Sequence, residues 1–192
     1  MASIAIVPAA GKAERFGGAK LVASLDGETV LDRTLASLLD GSVDRIVVVT
    51  APAAALSRVR RLTDPRVSTV VNEDPARGMF SSIQAGLAAA TGDPILVLPG
   101  DMPFVTKATV RAVLQFCLER QRVVIPTHGG KGGHPIAFPE ALRERVLHAL
   151  PTGTLKDALG GVLKLRDDVP VEDAGVLRDV DVPADLDRRP PG

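Results

Sequence analysis

Residues 3–20 read SIAIVPAAGKAERFGGAK, a short apolar run that passes without a break into a loop of glycine and basic side chains. This order decides the fold class. Ile4–Val7 is a strand-length apolar run, and a glycine-rich loop directly behind a first strand sits where open α/β sheets bind ligands. Gly11, Gly17 and Gly18 let the backbone approach a ligand closely, and successive N–H groups with Arg15 and Lys20 can neutralise a polyphosphate. A surface turn with incidental charge is the competing reading of the same residues. The stretch is not a P-loop, because Lys20 is followed by Leu21, and it is not the dinucleotide GxGxxG pattern.

Outward from this loop, strand and helix patterns alternate. Val30–Leu39 has apolar positions 31, 35, 38 and 39 on one helical face, and Arg45–Thr50 (RIVVVT) is a second strand. A helix over Ala53–Leu62 before Pro65, a strand over Val67–Val71 and a helix over Met79–Ala90 follow. Ile95–Leu98 is a fourth strand that ends at PGDMP, with a helix over Lys107–Leu118 and a strand over Arg122–Ile125 behind it. Nearly continuous apolar strands alternating with helices mean a mostly parallel sheet covered on both faces. Beyond residue 126 the pattern loosens into THGGKGGHP, a short strand Ile136–Phe138, a helix within Pro139–Leu150 and apolar runs near Val162–Leu165 and Gly175–Val180. The expectation is one domain over residues 1–187. Residues 1–126 form mainly its nucleotide-binding half, 127–187 complete the cleft on the acceptor side, and 188–192 are a tail.

Composition narrows the function classes. The 192 residues hold 45% hydrophobic but only 3% aromatic side chains, so the core is built from Ala, Val, Leu and Ile, and a base-stacking nucleic-acid surface is disfavoured. Lys+Arg and Asp+Glu each total 23, which gives no bulk attraction to nucleic acid or an anionic membrane. The single cysteine, Cys117, excludes an intrachain disulfide and fits a reducing cytoplasm. No apolar run is long enough for a membrane span or has the flanks of a secretion signal.

Further constellations carry chemistry. Asp101 in LVLPGDMP lies at a strand end, where its carboxylate suits a hard divalent ion that bridges phosphates, although Asp and Gly also simply make turns. Asp181 follows the last candidate strand and either supplies a second carboxylate or caps a short helix ahead of Pro183. Asp179 is its near neighbour, on the opposite face if that strand extends so far. In NEDPARGMFSSIQAGL, Gly78, Ser81 and Ser82 stand at a helix entrance whose free N–H groups suit an anion, or which is an ordinary capped helix. His134, between Gly133 and Pro135, is either a surface loop histidine or a group facing an acceptor. No zinc-type His/Cys cluster and no Gly-x-Ser-x-Gly elbow is present.

Together, PAAGKAERFGGAKLV, NEDPARGMFSSIQAGL, PGDMPFV, GGHPIAF and RDVDVPADL resemble, in order, the motifs of the molybdenum-cofactor nucleotidyltransferases. GMFSS and GGHP look more like the molybdopterin cytidylyltransferase branch than the guanylyltransferase branch. The resemblance implies a Rossmann-like, GT-A-like three-layer nucleotidyltransferase fold that uses an NTP, CTP by branch, and Mg2+. It implies that the Ala9, Ala10 and Gly11 backbone holds the base, while Arg15 and Lys20 hold the triphosphate beside Gly17 and Gly18. Asp101 would bind Mg2+ with Asp181 as second ligand, and Gly78, Ser81 and Ser82 would lie near the nucleotide. Gly133 and His134 would face a molybdopterin-type phosphorylated acceptor. The partner implied downstream is a molybdoenzyme or a cofactor-insertion chaperone.

Two departures stand out. Ala13 replaces the usual serine of the loop, and PTGTLKDALGG stands where family members carry a GDxGAR-like stretch. That second stretch shapes the acceptor side, so a nucleotidyltransferase using CTP or GTP on another phosphorylated acceptor, a sugar phosphate or a small phospho-acid, is the alternative. A nucleotide-binding regulator without turnover is a further reading, and it leaves Arg15, Lys20, Asp101 and Asp181 together unexplained.

Overall fold

The computed structural model describes residues 2–11, 16 and 19–187; the expected tail at 188–192 lies outside them. In chain order the strands and helices are β1 (Ile4–Ala9), β2 (Ser24–Leu25), β3 (Glu28–Thr29), α1 (Val30–Asp40), β4 (Arg45–Thr50), β5 (Val67–Val71) and α2 (Met79–Ala89). They continue with β6 (Ile95–Val97), α3 (Lys107–Arg120), β7 (Val124–His128), β8 (Lys131–Gly132), β9 (Ile136–Phe138), α4 (Arg143–Leu147), α5 (Leu155–Leu159) and β10 (Asp167–Pro170). The main sheet runs β10-β7-β9-β6-β1-β4-β5, with β8 added on β7. β4, β5 and β6 pair parallel within it, as do β10 and β7, whereas β9 lies antiparallel to both β6 and β7.

β1 shows why both faces are covered. Its six residues are all buried, and alternate side chains serve opposite layers. Ala5 and Val7 pack in one cluster with Leu31, Leu35 and Leu38 of α1 and Val110 and Val113 of α3. Ile4 and Ile6 pack in the other with Phe80, Ile83 and Leu87 of α2, Val146 of α4 and Leu159 of α5. Each fully buried Leu, Ile or Val contributes about 1.5–3 kcal/mol of transfer free energy. Gly86 lets α2 approach β1, because a Cβ there would stand 2.6 Å from Ile6 Cγ2 and 3.0 Å from Val49 Cγ2.

The chain builds outward from β1 through β4 to β5 and then returns to β6 on its other side. β1 and β6 therefore meet at a topological switch point, and their carboxyl ends open a crevice of the kind in which α/β sheets bind ligands.

Two sequence expectations are corrected here. Ala53–Leu62 is not a helix: it is a series of turns followed by a single 3-10 turn, Arg60–Thr63. Only Val59 of this stretch is buried, so no apolar helical face is available to pack. Its backbone is instead held by a carboxylate of α1. Asp32 Oδ1 accepts from the Arg61 N–H at 2.9 Å and Oδ2 from the Arg60 N–H at 3.3 Å. Gly175–Val180 is likewise not a strand. Its first residues form a 3-10 turn, Ala174–Leu177, and the last sheet strand is the polar β10 upstream.

Candidate functional site

At the β1 and β6 carboxyl ends the chain brings together residues far apart in sequence. β1 ends in Ala9, and Ala9 and Ala10 are both buried, with exposed Gly11 behind them. Lys20 opens a 3-10 turn, Lys20–Val22, that packs Val22 into the core. This turn aims the Lys20 side chain back across the crevice. Its Nζ donates to Asp101 Oδ2 at 2.7 Å and to Asp181 Oδ1 at 3.4 Å. Burial disfavours the charge of Lys20, but its hydrogen bonds and ion pairs with Asp101 and Asp181 outweigh this and raise its pKa above the ordinary 10.5. Arg15, Gly17 and Gly18 lie outside the described residues.

Asp101 follows β6 through Pro99 and Gly100, and the Gly100 N–H is bonded to Pro8 O of β1 at 3.0 Å. The loop carrying Asp101 is thus sewn to the central strand. Asp181 is oriented from its other side, since Asp185 Oδ2 accepts the N–H groups of Asp181 and Val182, each at 2.9 Å. Asp179 completes the group: Asp101, Asp179 and Asp181 each offer a carboxylate oxygen, and these oxygens lie within 4.8 Å of one another. Burial, reinforced by Asp181 and Asp101, pushes the Asp179 carboxyl above its usual range, while Lys20 opposes the shift. Asp179 is the residue that sequence reading set aside. The expectation that Asp179 lies on the opposite strand face is mistaken: residues i and i+2 share a face of a strand, and here the backbone at 178–181 is irregular and both carboxylates converge on Asp101. The signal available was the D-V-D spacing itself.

Two cavities flank this group, and Asp101 borders both. One, of about 230 Å3, is lined by Ala9, Gly11, Lys20 and the turns at Ala51, Ala54 and Leu56. The other, of about 330 Å3, is lined by Met79, Met102, Gly133, His134, Leu177 and Asp179. Burial lowers the His134 pKa below the usual 6.5, an effect that the Asp101 charge partly offsets, so its imidazole is neutral at pH 7. The His134 backbone N–H is bonded to Val176 O at 2.9 Å. Gly133 is required beside it, because a Cβ there would collide with the Val176 carbonyl and stand 2.9 Å from Val176 Cβ.

Gly78 caps α2 at φ 94°, ψ 176°, a backbone region essentially restricted to glycine. Ser81 and Ser82 lie just inside the helix and are both buried. Their hydroxyls accept from Asn72 Nδ2 at 2.8 and 3.0 Å, and Ser81 Oγ donates to Gly78 O at 2.7 Å. Asn72, itself buried, also accepts the Asp74 N–H at 3.1 Å. The serine hydroxyls thus shape the helix entrance that presents Met79 to the second cavity. Sequence reading noticed the serines but not Asn72, which organises them from the end of β5.

The carboxylate group fits a hard divalent cation, for which oxygen donors are the preferred ligands. Among the described residues, no helix is long and apolar enough to cross a membrane.

A family model described as "MobA-like NTP transferase domain" matches residues 5–169. The molybdenum cofactor cytidylyltransferase of Escherichia coli (strain K12) is 26% identical over 181 residues, covering 94% of this chain and 92% of its own length. The 2-C-methyl-D-erythritol 4-phosphate cytidylyltransferase of Frankia casuarinae is 29% identical over 191 residues, covering 93% of this chain and 70% of its own. Among solved structures, that of Rv0371C from Mycobacterium tuberculosis H37Rv in complex with manganese has a TM-score of 0.74 at 24% identity, covering 97% of each chain. That likeness carries the fold, a mostly parallel Rossmann-like sheet.

Proposed function

Because this chain belongs to the family of MobA-like NTP transferase domains, we propose that it transfers a cytidylyl group from CTP to the terminal phosphate of a molybdopterin-type acceptor and releases pyrophosphate. The observation that carries this reading is the meeting of two cavities at Asp101, with Lys20 and the carboxylates between them. A transferase for two phosphorylated substrates needs two compartments that share a charged floor.

On this reading the nucleotide occupies the cavity of Ala9, Gly11 and Ala51–Leu56, with Ala10 backing the turn. Its triphosphate runs along the loop from Gly11 to Lys20, where Arg15, Gly17 and Gly18 belong. The acceptor enters past Met79 and His134, and the neutral imidazole can donate or accept a hydrogen bond without adding charge. An acceptor phosphate oxygen attacks the α-phosphorus, the bond from that phosphorus to the bridging oxygen of the β-phosphate breaks, and pyrophosphate leaves. The attacking phosphate is already ionised at neutral pH, so no general base is required. What the chain supplies is alignment and positive charge from Lys20 and Arg15. Asp101, Asp179 and Asp181 would hold Mg2+, which when bound supplies further positive charge to phosphate oxygens. The dinucleotide product would pass to a molybdoenzyme or a cofactor-insertion chaperone in the cytoplasm.

A second reading, with 2-C-methyl-D-erythritol 4-phosphate or another small phosphorylated acceptor, is favoured by the Frankia relative and by the presence of PTGTLKDALGG where family members carry a GDxGAR-like stretch. Pyrophosphate release from CTP, GTP, UTP and ATP with Mg2+, each with a molybdopterin-type cofactor, with the erythritol phosphate or with neither, separates the two. Release confined to CTP plus the pterin supports the first reading. Release with the erythritol phosphate replaces it, and no release with any combination overturns both.

A further inference from the structure

Asp179 and Asp181 lie on a segment that has no strand or α-helix to hold it, yet their carboxylates converge on Asp101 within 4.8 Å. What holds the segment is a series of contacts with the loop that carries Asp101. At one end, Asp173 Oδ2 accepts from the Thr106 N–H at 2.8 Å, from Thr106 Oγ1 at 2.9 Å and from Thr109 Oγ1 at 2.6 Å. Its Oδ1 accepts the Gly175 N–H at 3.0 Å. Gly175 then lies so close to the Phe104 carbonyl that any Cβ would collide with it, and the Arg178 guanidinium stacks 4.8 Å from the Phe104 ring centroid. At the far end the Val180 N–H donates to Asp101 O at 2.8 Å. Between them, Val176 O accepts the His134 N–H, so the same segment also sets the wall of the second cavity.

From this arrangement we infer that Asp173 is a positioning residue: it clamps the 173–181 segment to the amino end of α3 and thereby sets the spacing of Asp179 and Asp181 from Asp101. Asp173 touches no reacting group and is not among the three clustered carboxylates. A carboxylate that accepts four hydrogen bonds makes charge-assisted links, each stronger than a neutral bond. With it gone, the amino end of the segment loses its tie to α3, and the segment's conformational entropy is opposed from further along, by the backbone bonds at Val176 and Val180, the Phe104 contacts and the Lys20–Asp181 pair. The inference rests on the carboxylate site of the proposed function only for its consequence, not for the clamp itself.

The test uses the full chain and two readouts, backbone amide exchange and direct Mn2+ binding followed by the free-ion electron paramagnetic resonance signal. Asp173→Ala is compared with Asp157→Ala, which removes the capping box of α5 on the opposite layer and serves as the structural control. The expected result is exchange at the Val180 and His134 amides faster by about tenfold or more, with Mn2+ affinity weaker by a similar factor, and neither change in the control. Asp173→Asn, which keeps one acceptor oxygen, falls between. Thr109→Val deletes a single donor and should move both readouts in the same direction by less, which keeps the inference testable if Asp173→Ala does not fold. Unchanged exchange at Val180 overturns the clamp, and faster exchange with unchanged Mn2+ affinity overturns its role in setting the site. Failure of the unaltered chain to bind Mn2+ overturns the cation site of the proposed function instead, and the exchange rates then decide the clamp alone.

Discussion

Lys20 Nζ stands 2.7 Å from Asp101 Oδ2, a contact between residues 81 positions apart that joins the loop after β1 to the loop after β6. The lysine side chain is only 12% exposed, so its charge is set against a little-hydrated carboxylate rather than against bulk water. Under the proposed function, an ammonium held in this way at the boundary of two cavities would be preorganised for charge that develops on phosphate oxygens during transfer.

Lys20→Met removes that charge and keeps most of the apolar stem. The expected outcome is a fall in kcat of about 10²–10³-fold, read from pyrophosphate release at saturating nucleotide, with the fold retained by circular dichroism. A kcat within a few-fold of the unaltered protein would remove Lys20 from the mechanism.

Asp179→Asn tests the carboxylate that completes the group. Its charge is disfavoured by burial and by Asp181 and Asp101, so neutralising it should leave Tm unchanged or raise it. The divalent-ion concentration for half-maximal rate should rise about tenfold or more. Loss of Tm together with an unchanged metal dependence would mean that Asp179 serves the fold and not the site.

The parts of this arrangement that were legible in sequence are those fixed by one local pattern. RIVVVT forms β4 with the bounds its apolar run suggests, and VSTVV forms β5, because short runs dominated by β-branched residues favour a strand. Asp101 was legible for a similar reason, as an acidic residue placed directly after a buried strand. The misread stretches are those whose backbone is held by distant side chains. APAAALSRVRRL has the composition of a helix, yet its course follows Asp32 of α1, which its own residues do not reveal. Gly175–Val180 has the hydropathy of a strand but follows Asp173, Phe104 and Asp101 instead. Propensity lost in both places to tertiary hydrogen bonds.

Two glycine replacements should separate stability from site geometry. Gly86→Ala puts a methyl 2.6 Å from Ile6 Cγ2 between α2 and β1, and overpacking of this kind costs about 1–3 kcal/mol. Its kcat should be unchanged wherever the protein is folded. Gly133→Ala forces a methyl into the Val176 backbone at the edge of the second cavity and should raise KM for the acceptor more than KM for the nucleotide. Denaturation midpoints paired with steady-state kinetics check both, and equal effects of the two substitutions on acceptor KM would contradict the distinction.

Asp32 gives the pH dependence its sign. Its carboxylate is 1% exposed; burial raises its pKa, but hydrogen bonds from the Arg61 and Arg60 N–H groups and from Thr29 Oγ1, with the Arg61 charge, outweigh this and hold it below the ordinary 3.8. A folded-state pKa below the unfolded one means that the stabilisation is fully present above 3.8 and is lost as pH falls through the folded value. Asp32→Asn should therefore lower stability at pH 7 by about 1–3 kcal/mol, since one oxygen can no longer accept both sets of donors. The gap between Asp32→Asn and the unaltered protein should then narrow as pH falls from 3.8 through the lower folded value, beneath which both carry an uncharged group at this position. The turns that Asp32 anchors lead from the wall formed by Ala51, Ala54 and Leu56, so the same substitution should raise KM for the nucleotide while leaving acceptor KM in place. Tm measured from pH 7 to pH 3 is the decisive series. A gap that stays constant through the acid range would show that the Asp32 charge contributes nothing and that only its shape holds the turn.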